Sequence, residues 1–108
     1  MYFVYILYSP KLRKFYKGQT SNLESRLERH NSGYEKYTSN GVPWLLLWST
    51  VKETRSQATI LESKLKNLYK ERLIKFMIKY EKEIVEKNLA YFKRLSRDAK
   101  GHDVDNQT

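Results

Sequence analysis

The hydrophobic pattern begins with residues 2–8, YFVYILY, in which both alternating sets of side chains are apolar or aromatic. A strand with this pattern is covered on both faces and lies in the middle of its sheet. Residues 9–14, SPKLRK, contain the proline and the charges of a connecting loop, and residues 15–20, FYKGQT, resume a strand. We therefore predict a β-hairpin over residues 2–20.

The first helix is indicated by its two ends. Ser21 and Glu24 form the S-x-x-E pattern of a capping box, which predicts a helix that begins at Asn22. Asn31 and Gly33 are typical residues of a helix C-terminus. The stretch between these signals therefore predicts one short helix directly after the hairpin.

The rest of the chain predicts one more strand and a long helical region. Residues 33–43 hold Gly, Ser, Asn and Pro at turn positions and predict a loop, and residues 44–51, WLLLWSTV, predict a third strand. Apolar residues then recur at helical spacing, namely Ala58, Leu61, Leu65 and Leu68. Helical spacing continues less regularly to Phe92, and the sequence leaves open whether this region is one helix or several.

These elements predict an α/β fold of the α+β kind, a small three-stranded antiparallel sheet packed with helices. The length of 108 residues suits one domain. We expect this domain to occupy residues 1–95, with a core over residues 2–75 and a helical extension over residues 76–95. Residues 96–108 have almost no apolar side chain and predict a disordered tail.

Composition excludes several classes of protein. The absence of cysteine excludes a disulfide framework and thiolate zinc sites, and it leaves only His30 and His102 as imidazole ligands. The run WLLLW is far shorter than the roughly 20 apolar residues that span a bilayer. The N-terminal segment lacks the basic leader and cleavage site of a secretory signal. We therefore expect no membrane span and a cytoplasmic location.

The formal net charge of +9 predicts a polyanionic partner. Nucleic acid is the leading interpretation, although an anionic membrane surface would attract the same charge. Charge alone does not distinguish a binding protein from an enzyme.

Four polar side chains lie beside the predicted hydrophobic faces. Arg26 and His30 are four residues apart on the first helix and flank its buried side. Tyr5 and Tyr16 emerge on the same face of the hairpin if Leu7 is opposite Tyr16. Each pair also has an ordinary interpretation, because helices carry solvated basic edges and tyrosine is common in strands.

Glu62 is the fifth polar side chain of this set. It borders the apolar stripe of the second helix instead of pointing fully to water, so its carboxylate needs a partner. A helical ion pair with Lys66, four residues later, is the simple alternative to a functional role.

Taken in chain order, these residues resemble the GIY-YIG nuclease superfamily, which includes intron homing endonucleases and the nuclease domain of bacterial excision repair. The triplet VYI at 4–6 and the triplet YKG at 16–18 stand where the family has its two motifs. The similarity extends from residue 2 to about residue 75. It is closest to small single-domain bacterial members, in which a Pro-Trp such as Pro43-Trp44 precedes the third strand.

The chain departs from the family pattern at several positions. Phe3, directly before VYI, stands where the family usually has its first glycine, so the N-terminal triplet reads F-V-Y. Lys17 replaces the central isoleucine of the second triplet. Some members use another histidine in the loop after the first helix, where this chain has Tyr34, Tyr37 and Thr38.

The resemblance implies a metal-dependent endonuclease that hydrolyses phosphodiester bonds in DNA, in repair or recombination. In that interpretation Arg26 pairs with phosphate oxygens, and Glu62 holds one Mg²⁺ or Mn²⁺ ion. Tyr5 accepts the proton of the attacking water, and His30 competes for this role because its ordinary pKa lies near neutrality. The implied catalytic residues are Tyr5, Tyr16, Arg26, His30 and Glu62.

Contacts with nucleic acid are expected from a second group of residues, in which Gly18 would let its strand approach the sugar-phosphate backbone. These residues are Lys17, Gly18, Arg29, Lys36 and Lys66. We expect DNA as the partner, no membrane, and a monomer or weak dimer. Two alternatives stay open: a nucleic-acid-binding module of the same fold that has lost turnover, and protein interaction through the C-terminal helical segment.

Overall fold

The protein is described from a computed structural model, which covers the backbone of residues 1–107 and the side chains of residues 1–98. Three antiparallel strands form one sheet in the spatial order β2-β1-β3. They are β1 (Tyr2–Ser9), β2 (Lys14–Thr20) and β3 (Leu45–Lys52). The helices are α1 (Leu23–Ser32), α2 (Arg55–Lys66), α3 (Lys70–Lys79) and α4 (Leu89–Gln107). The predicted mixed fold, a three-stranded antiparallel sheet packed with helices, is confirmed.

The central position of β1 explains why both of its faces are apolar. Val4, Ile6 and Tyr8 belong to the larger core cluster, on the face covered by α2, α3 and α4. Tyr5 and Leu7 belong to a smaller cluster on the opposite face, against α1. Alternating side chains of one strand therefore supply two cores.

The hairpin register is the one that places the two motif tyrosines on the same face. Leu7 lies opposite Tyr16, and Tyr5 lies opposite Gly18. Residues directly opposite each other in an antiparallel pair point to the same side of the sheet. Tyr5 and Tyr16 are therefore diagonal neighbours on the α1 face.

The two edges of the sheet differ. Residues 80–88 cover the outer edge of β3, where Val85 N donates to Leu47 O at 2.8 Å and Asn88 Nδ2 donates to Leu46 O at 2.8 Å. The indole of Trp48 donates to Tyr80 O at 3.0 Å. Within the part of the chain that the structure describes, β2 pairs only with β1. Its outer side is the open edge of the sheet.

The capping box predicted for α1 is wrong. Asn22 is the N-cap, with its side chain accepting from Ser25 N at 3.0 Å, so the helix begins at Leu23. Gly33 ends the helix as predicted, with a φ of 83° that favours glycine. Asn31 lies inside the helix, where its side chain bonds to the backbone N and O of Trp44 at 2.6 and 3.2 Å.

The helical region is divided into α2, α3 and α4, with two 3₁₀ turns at Glu81–Glu83 and Glu86–Asn88. Its later part contributes Met77, Phe92 and Leu95 to the larger core cluster. No helix in the described range is long and apolar enough to cross a membrane.

The predicted end of the helical extension at residue 95 is too early, because the backbone of α4 continues to Gln107. Most of the predicted disordered tail, residues 96–108, lies outside the residues whose side chains are described. His102 falls in that range.

Candidate active site

His30 is held between two hydroxyl groups on the α1 face of the sheet. The Tyr5 hydroxyl and His30 Nε2 are 3.1 Å apart, and His30 Nδ1 and Thr38 Oγ1 are 3.0 Å apart. All three side chains are buried, with only 2 % of His30 exposed. A neutral imidazole has one donor and one acceptor nitrogen, so both of its hydrogen-bonding positions are satisfied.

Tyr16 completes an aromatic cluster around this imidazole. Its ring centroid lies 4.8 Å from that of His30, edge to face, and 6.3 Å from that of Tyr5. The ring of Trp44 lies 6.2 Å from Tyr16, and its indole N–H donates to Thr38 O at 2.7 Å. The cluster therefore fixes the His30 ring from the side as well as through its nitrogens.

The burial of Tyr5 raises the pKa of its phenol above the ordinary value of 10.0, and the nearby Tyr16 adds to the rise. The charge of the Arg26 guanidinium opposes this rise, and the more weakly acting carboxylate of Glu62 increases it. Burial lowers the pKa of His30 below 6.5, with Arg26 acting in the same direction. At neutral pH the phenol is therefore protonated and the imidazole is neutral.

Glu62 lies on the other side of the edge strand. Gln19 Nε2 donates to Glu62 Oε1 at 2.9 Å and to Thr59 Oγ1 at 2.9 Å. Lys66 Nζ pairs with Glu62 Oε2 at 3.1 Å, and the Glu62 side chain is 16 % exposed while that of Lys66 is 59 % exposed. The helical ion pair considered as the simple alternative is thus present, and it occupies one carboxylate oxygen.

The edge strand β2 lies between the aromatic cluster around His30 and the contacts of Glu62. Tyr16 and Gly18 point to the α1 face, whereas Lys17 and Gln19 point to the α2 face. The structure therefore brings Tyr5, Tyr16 and His30 together on the α1 face of the sheet. Arg26 and Glu62 lie near enough for their charges to act on the Tyr5 phenol, with Glu62 beyond β2.

The residues predicted to contact nucleic acid are placed differently from one another. Lys36 is exposed, and the exposed Arg29 pairs with Glu35 at 2.8 Å. Burial lowers the pKa of Lys17, and Lys66 lowers it further. The four cations lie in four different segments: α1, the loop after it, β2 and α2.

The space left by the missing side chain of Gly18 is filled by Tyr5, and this corrects the expected reason for the glycine. A Cβ at Gly18 would lie 2.6 Å from the Tyr5 hydroxyl oxygen and 2.8 Å from Cζ. Gly18 is itself buried. The glycine thus makes room for the phenol and not for a sugar-phosphate backbone.

Two residues of this site were not predicted from the sequence. Thr38 binds the far nitrogen of His30, and Gln19 links α2 to the edge strand through Glu62. A buried threonine in a loop and a glutamine in an edge strand carry no strong sequence signal, because both are common there without function.

The donor atoms near Glu62 fit a divalent cation held by few protein ligands. The amide oxygen of Gln19 is buried and has no hydrogen-bond partner, while the nitrogen of the same amide contacts Glu62. Amide and carboxylate oxygens are ligands of Mg²⁺, which commonly keeps waters and binds through one or two carboxylates and substrate phosphates. The described residues contain no group of three or more His, Asp or Glu side chains that would form a complete cage.

Comparison with protein families identifies the family of this chain. The model of the GIY-YIG catalytic domain matches residues 1–75. The protein belongs to the GIY-YIG catalytic domain family. This is a nuclease family, so nucleic acid is the substrate class of its members.

A solved structure is also similar to this GIY-YIG protein. It is the solution NMR structure of a UPF0213 protein from Bacillus halodurans, with 31 % sequence identity and a TM-score of 0.45. The match covers 70 % of the present chain and 85 % of the other. Comparison with curated proteins gives no match.

Proposed function

We propose that this GIY-YIG protein is a divalent-metal-dependent endonuclease that hydrolyses phosphodiester bonds in DNA. The observation that supports this most strongly is the hydrogen-bonded line of Tyr5, His30 and Thr38 on the α1 face of the sheet, with Glu62 on the other side of β2. The choice of DNA, and a role in repair or recombination, follow from the family resemblance together with the net charge of +9.

His30 resolves the difficulty of using a buried tyrosine as a base. A phenol whose pKa is raised by burial does not ionise by itself at neutral pH. The His30 Nε2 atom, 3.1 Å from the hydroxyl, takes the phenolic proton as the phenol oxygen takes the proton of the attacking water. His30 is ready for this step because its lowered pKa keeps it neutral.

Thr38 selects the reactive tautomer of the imidazole in this scheme. When His30 Nδ1 carries its proton and donates to Thr38 Oγ1, Nε2 presents a lone pair to the Tyr5 hydroxyl. The water oxygen then bonds to phosphorus, the bond from phosphorus to the leaving oxygen breaks, and that oxygen takes a proton from solvent. Tyr16 holds the imidazole plane through its edge contact.

Positive charge for the phosphate comes from Arg26, which is half-buried beside the phenol. A guanidinium keeps its charge at any physiological pH and matches two phosphate oxygens at once. Lys17 is the second candidate for this role. These charges stabilise a transition state in which the oxygens around phosphorus become more negative.

Glu62 would hold the divalent ion, with the Gln19 amide oxygen as a further oxygen donor. When bound, the ion would supply Lewis-acid charge and help to position the phosphate. The Lys66 ammonium occupies one Glu62 oxygen in the free protein, and its exposed side chain is free to move away when a cation binds.

The proposal is tested by nicking of supercoiled plasmid with Mg²⁺ or Mn²⁺ for the wild type and two matched pairs of variants. Tyr5→Phe removes the proposed base, and Tyr8→Phe removes a hydroxyl from the same strand on the opposite face. Glu62→Gln removes the proposed metal ligand, and Glu53→Gln alters an exposed carboxylate outside the site.

We expect nicking to fall by about 10²–10⁴-fold in Tyr5→Phe and to stay near wild type in both controls. Glu62→Gln should abolish the metal-dependent part of the activity. Metal-independent binding of DNA by a wild type that does not cut would contradict the proposal and support the binding module. Equal nicking by wild type and Glu62→Gln would also contradict it.

A further inference from the structure

Two tyrosine rings project from the loop between α1 and a 3₁₀ turn at Ser39–Gly41. Tyr34 is 84 % exposed and Tyr37 is 94 % exposed. We call residues 33–38 the tyrosine loop. Rings this open to water contribute little to the core, and two of them three residues apart in one loop are available to a partner.

The backbone of the tyrosine loop is held in place although its rings are free. The Glu35 carboxylate pairs with Arg29 at 2.8 Å. The Glu35 carbonyl accepts from Thr38 N at 3.1 Å and from Ser39 N at 2.9 Å. Thr38 is 1 % exposed and anchors the end of the loop. The two rings are therefore presented from a fixed support, which lowers the conformational entropy lost on binding.

The tyrosine loop lies directly beside the candidate active site. Tyr37 precedes Thr38, whose hydroxyl contacts one nitrogen of His30, and the other nitrogen of that ring contacts the Tyr5 hydroxyl. One imidazole thus separates the end of the loop from the proposed base. Lys36, between the two tyrosines, is exposed and adds a positive charge.

We infer that the tyrosine loop binds unpaired bases of the nucleic acid by stacking them on Tyr34 and Tyr37, next to the phosphate that is cut. This inference rests on the proposed function and specifies its substrate class as DNA with a single-stranded segment at the cleavage point. Aromatic side chains stack on any exposed base face, with a cationic groove following the backbone. Bases inside a duplex are already stacked and offer no free face.

The test compares binding of a short labelled single strand with binding of the same strand in a duplex, by fluorescence anisotropy, without divalent metal. The variants are Tyr34→Ala/Tyr37→Ala and Tyr34→Trp/Tyr37→Trp. Tyr69→Ala is the matched control, because Tyr69 is 87 % exposed just before α3. Circular dichroism checks the fold of each variant, and we expect all of them to be folded because the altered rings are exposed.

The alanine pair should weaken single-strand binding by about fivefold or more, the loss that corresponds to one stacked base, and leave duplex binding nearly unchanged. The tryptophan pair and Tyr69→Ala should bind single strands like the wild type. Unchanged single-strand affinity in the alanine pair, or an equal loss on both DNAs, would overturn the inference. Because no metal is present, either result is independent of whether Glu62→Gln abolishes cutting, so the two proposals fail separately.

Discussion

Gly18→Ala tests whether the packing of Tyr5 against β2 is what sets the geometry of the site. The added Cβ would meet the Tyr5 hydroxyl oxygen at 2.6 Å and Cζ at 2.8 Å, far inside ordinary contact. Tyr5 is 1 % exposed, so its ring has no open space to enter. The ring must shift, and a shift large enough to clear the new methyl breaks the 3.1 Å contact with His30.

The size of the effect follows from three terms. Overpacking a core costs about 1–3 kcal/mol, and a buried imidazole nitrogen left without a partner costs about 1–3 kcal/mol. Replacing glycine within a strand returns about 0.5–1 kcal/mol of backbone entropy. We therefore expect Gly18→Ala to lower the free energy of unfolding by about 1–5 kcal/mol, or Tm by at least about 4 °C for a domain of this size.

The measurement is urea unfolding of four proteins: wild type, Gly18→Ala, Tyr5→Phe and the double variant. In the Tyr5→Phe background the atom closest to the new methyl is absent, so the glycine substitution should cost at least about 0.5 kcal/mol less. Nicking by Gly18→Ala should fall with the displacement of the phenol. A Gly18→Ala protein with wild-type Tm and wild-type nicking would refute the account of this glycine.

Three further predictions concern the surroundings of the site. Thr38→Val, which keeps the shape and removes the partner of His30 Nδ1, should lower the free energy of unfolding by about 1–3 kcal/mol in urea and slow nicking, whereas Thr38→Ser should keep most of both. Because the pKa of His30 is lower in the folded protein than its ordinary 6.5, the unfolded state binds the proton first as the pH falls. The contribution of His30 to the free energy of unfolding should therefore be complete above pH 6.5 and decrease from there to the lower folded pKa. Urea titrations at successive pH values should show this decrease, and it should be smaller in His30→Asn. Gly33→Ala should lower stability by about 1–2 kcal/mol through its φ of 83° alone, since nothing lies within 4 Å of the new methyl; thermal unfolding should show a smaller loss for Gly33→Asn, and equal losses would contradict the backbone explanation.

Local patterns predicted most of the fold because they depend on neighbours in sequence. The double-sided apolar run of β1 predicted a central strand. The register that pairs Leu7 with Tyr16 was only a condition in the sequence analysis, and the structure supplies it. The start of α1 was missed by one residue, since Ser21 and Asn22 are both good N-caps and only the backbone decides between them.

The contacts of the site were harder to predict because they join distant segments. His30 and Thr38 meet only because the tyrosine loop turns back on itself after Gly33. The space at Gly18 was assigned to substrate, because sequence does not show that the ring opposite would enter it. Gln19 reaches Glu62 across more than forty positions of the chain, a distance over which periodicity carries no information.

The covering of the β3 edge by residues 80–88 has a consequence for how this protein can be divided. The family match ends at residue 75, yet Met77 and Phe92 fill the larger core, and Val85 caps a backbone carbonyl of β3. A fragment that ends at residue 75 would contain every proposed catalytic side chain. Both edges of its sheet would be unpaired, and the indole of Trp48 would lose the cover and the hydrogen bond that residue 80 provides. Such a fragment would be prone to strand-to-strand aggregation, so a fusion protein that contains this domain has to include the helices beyond residue 75 as well.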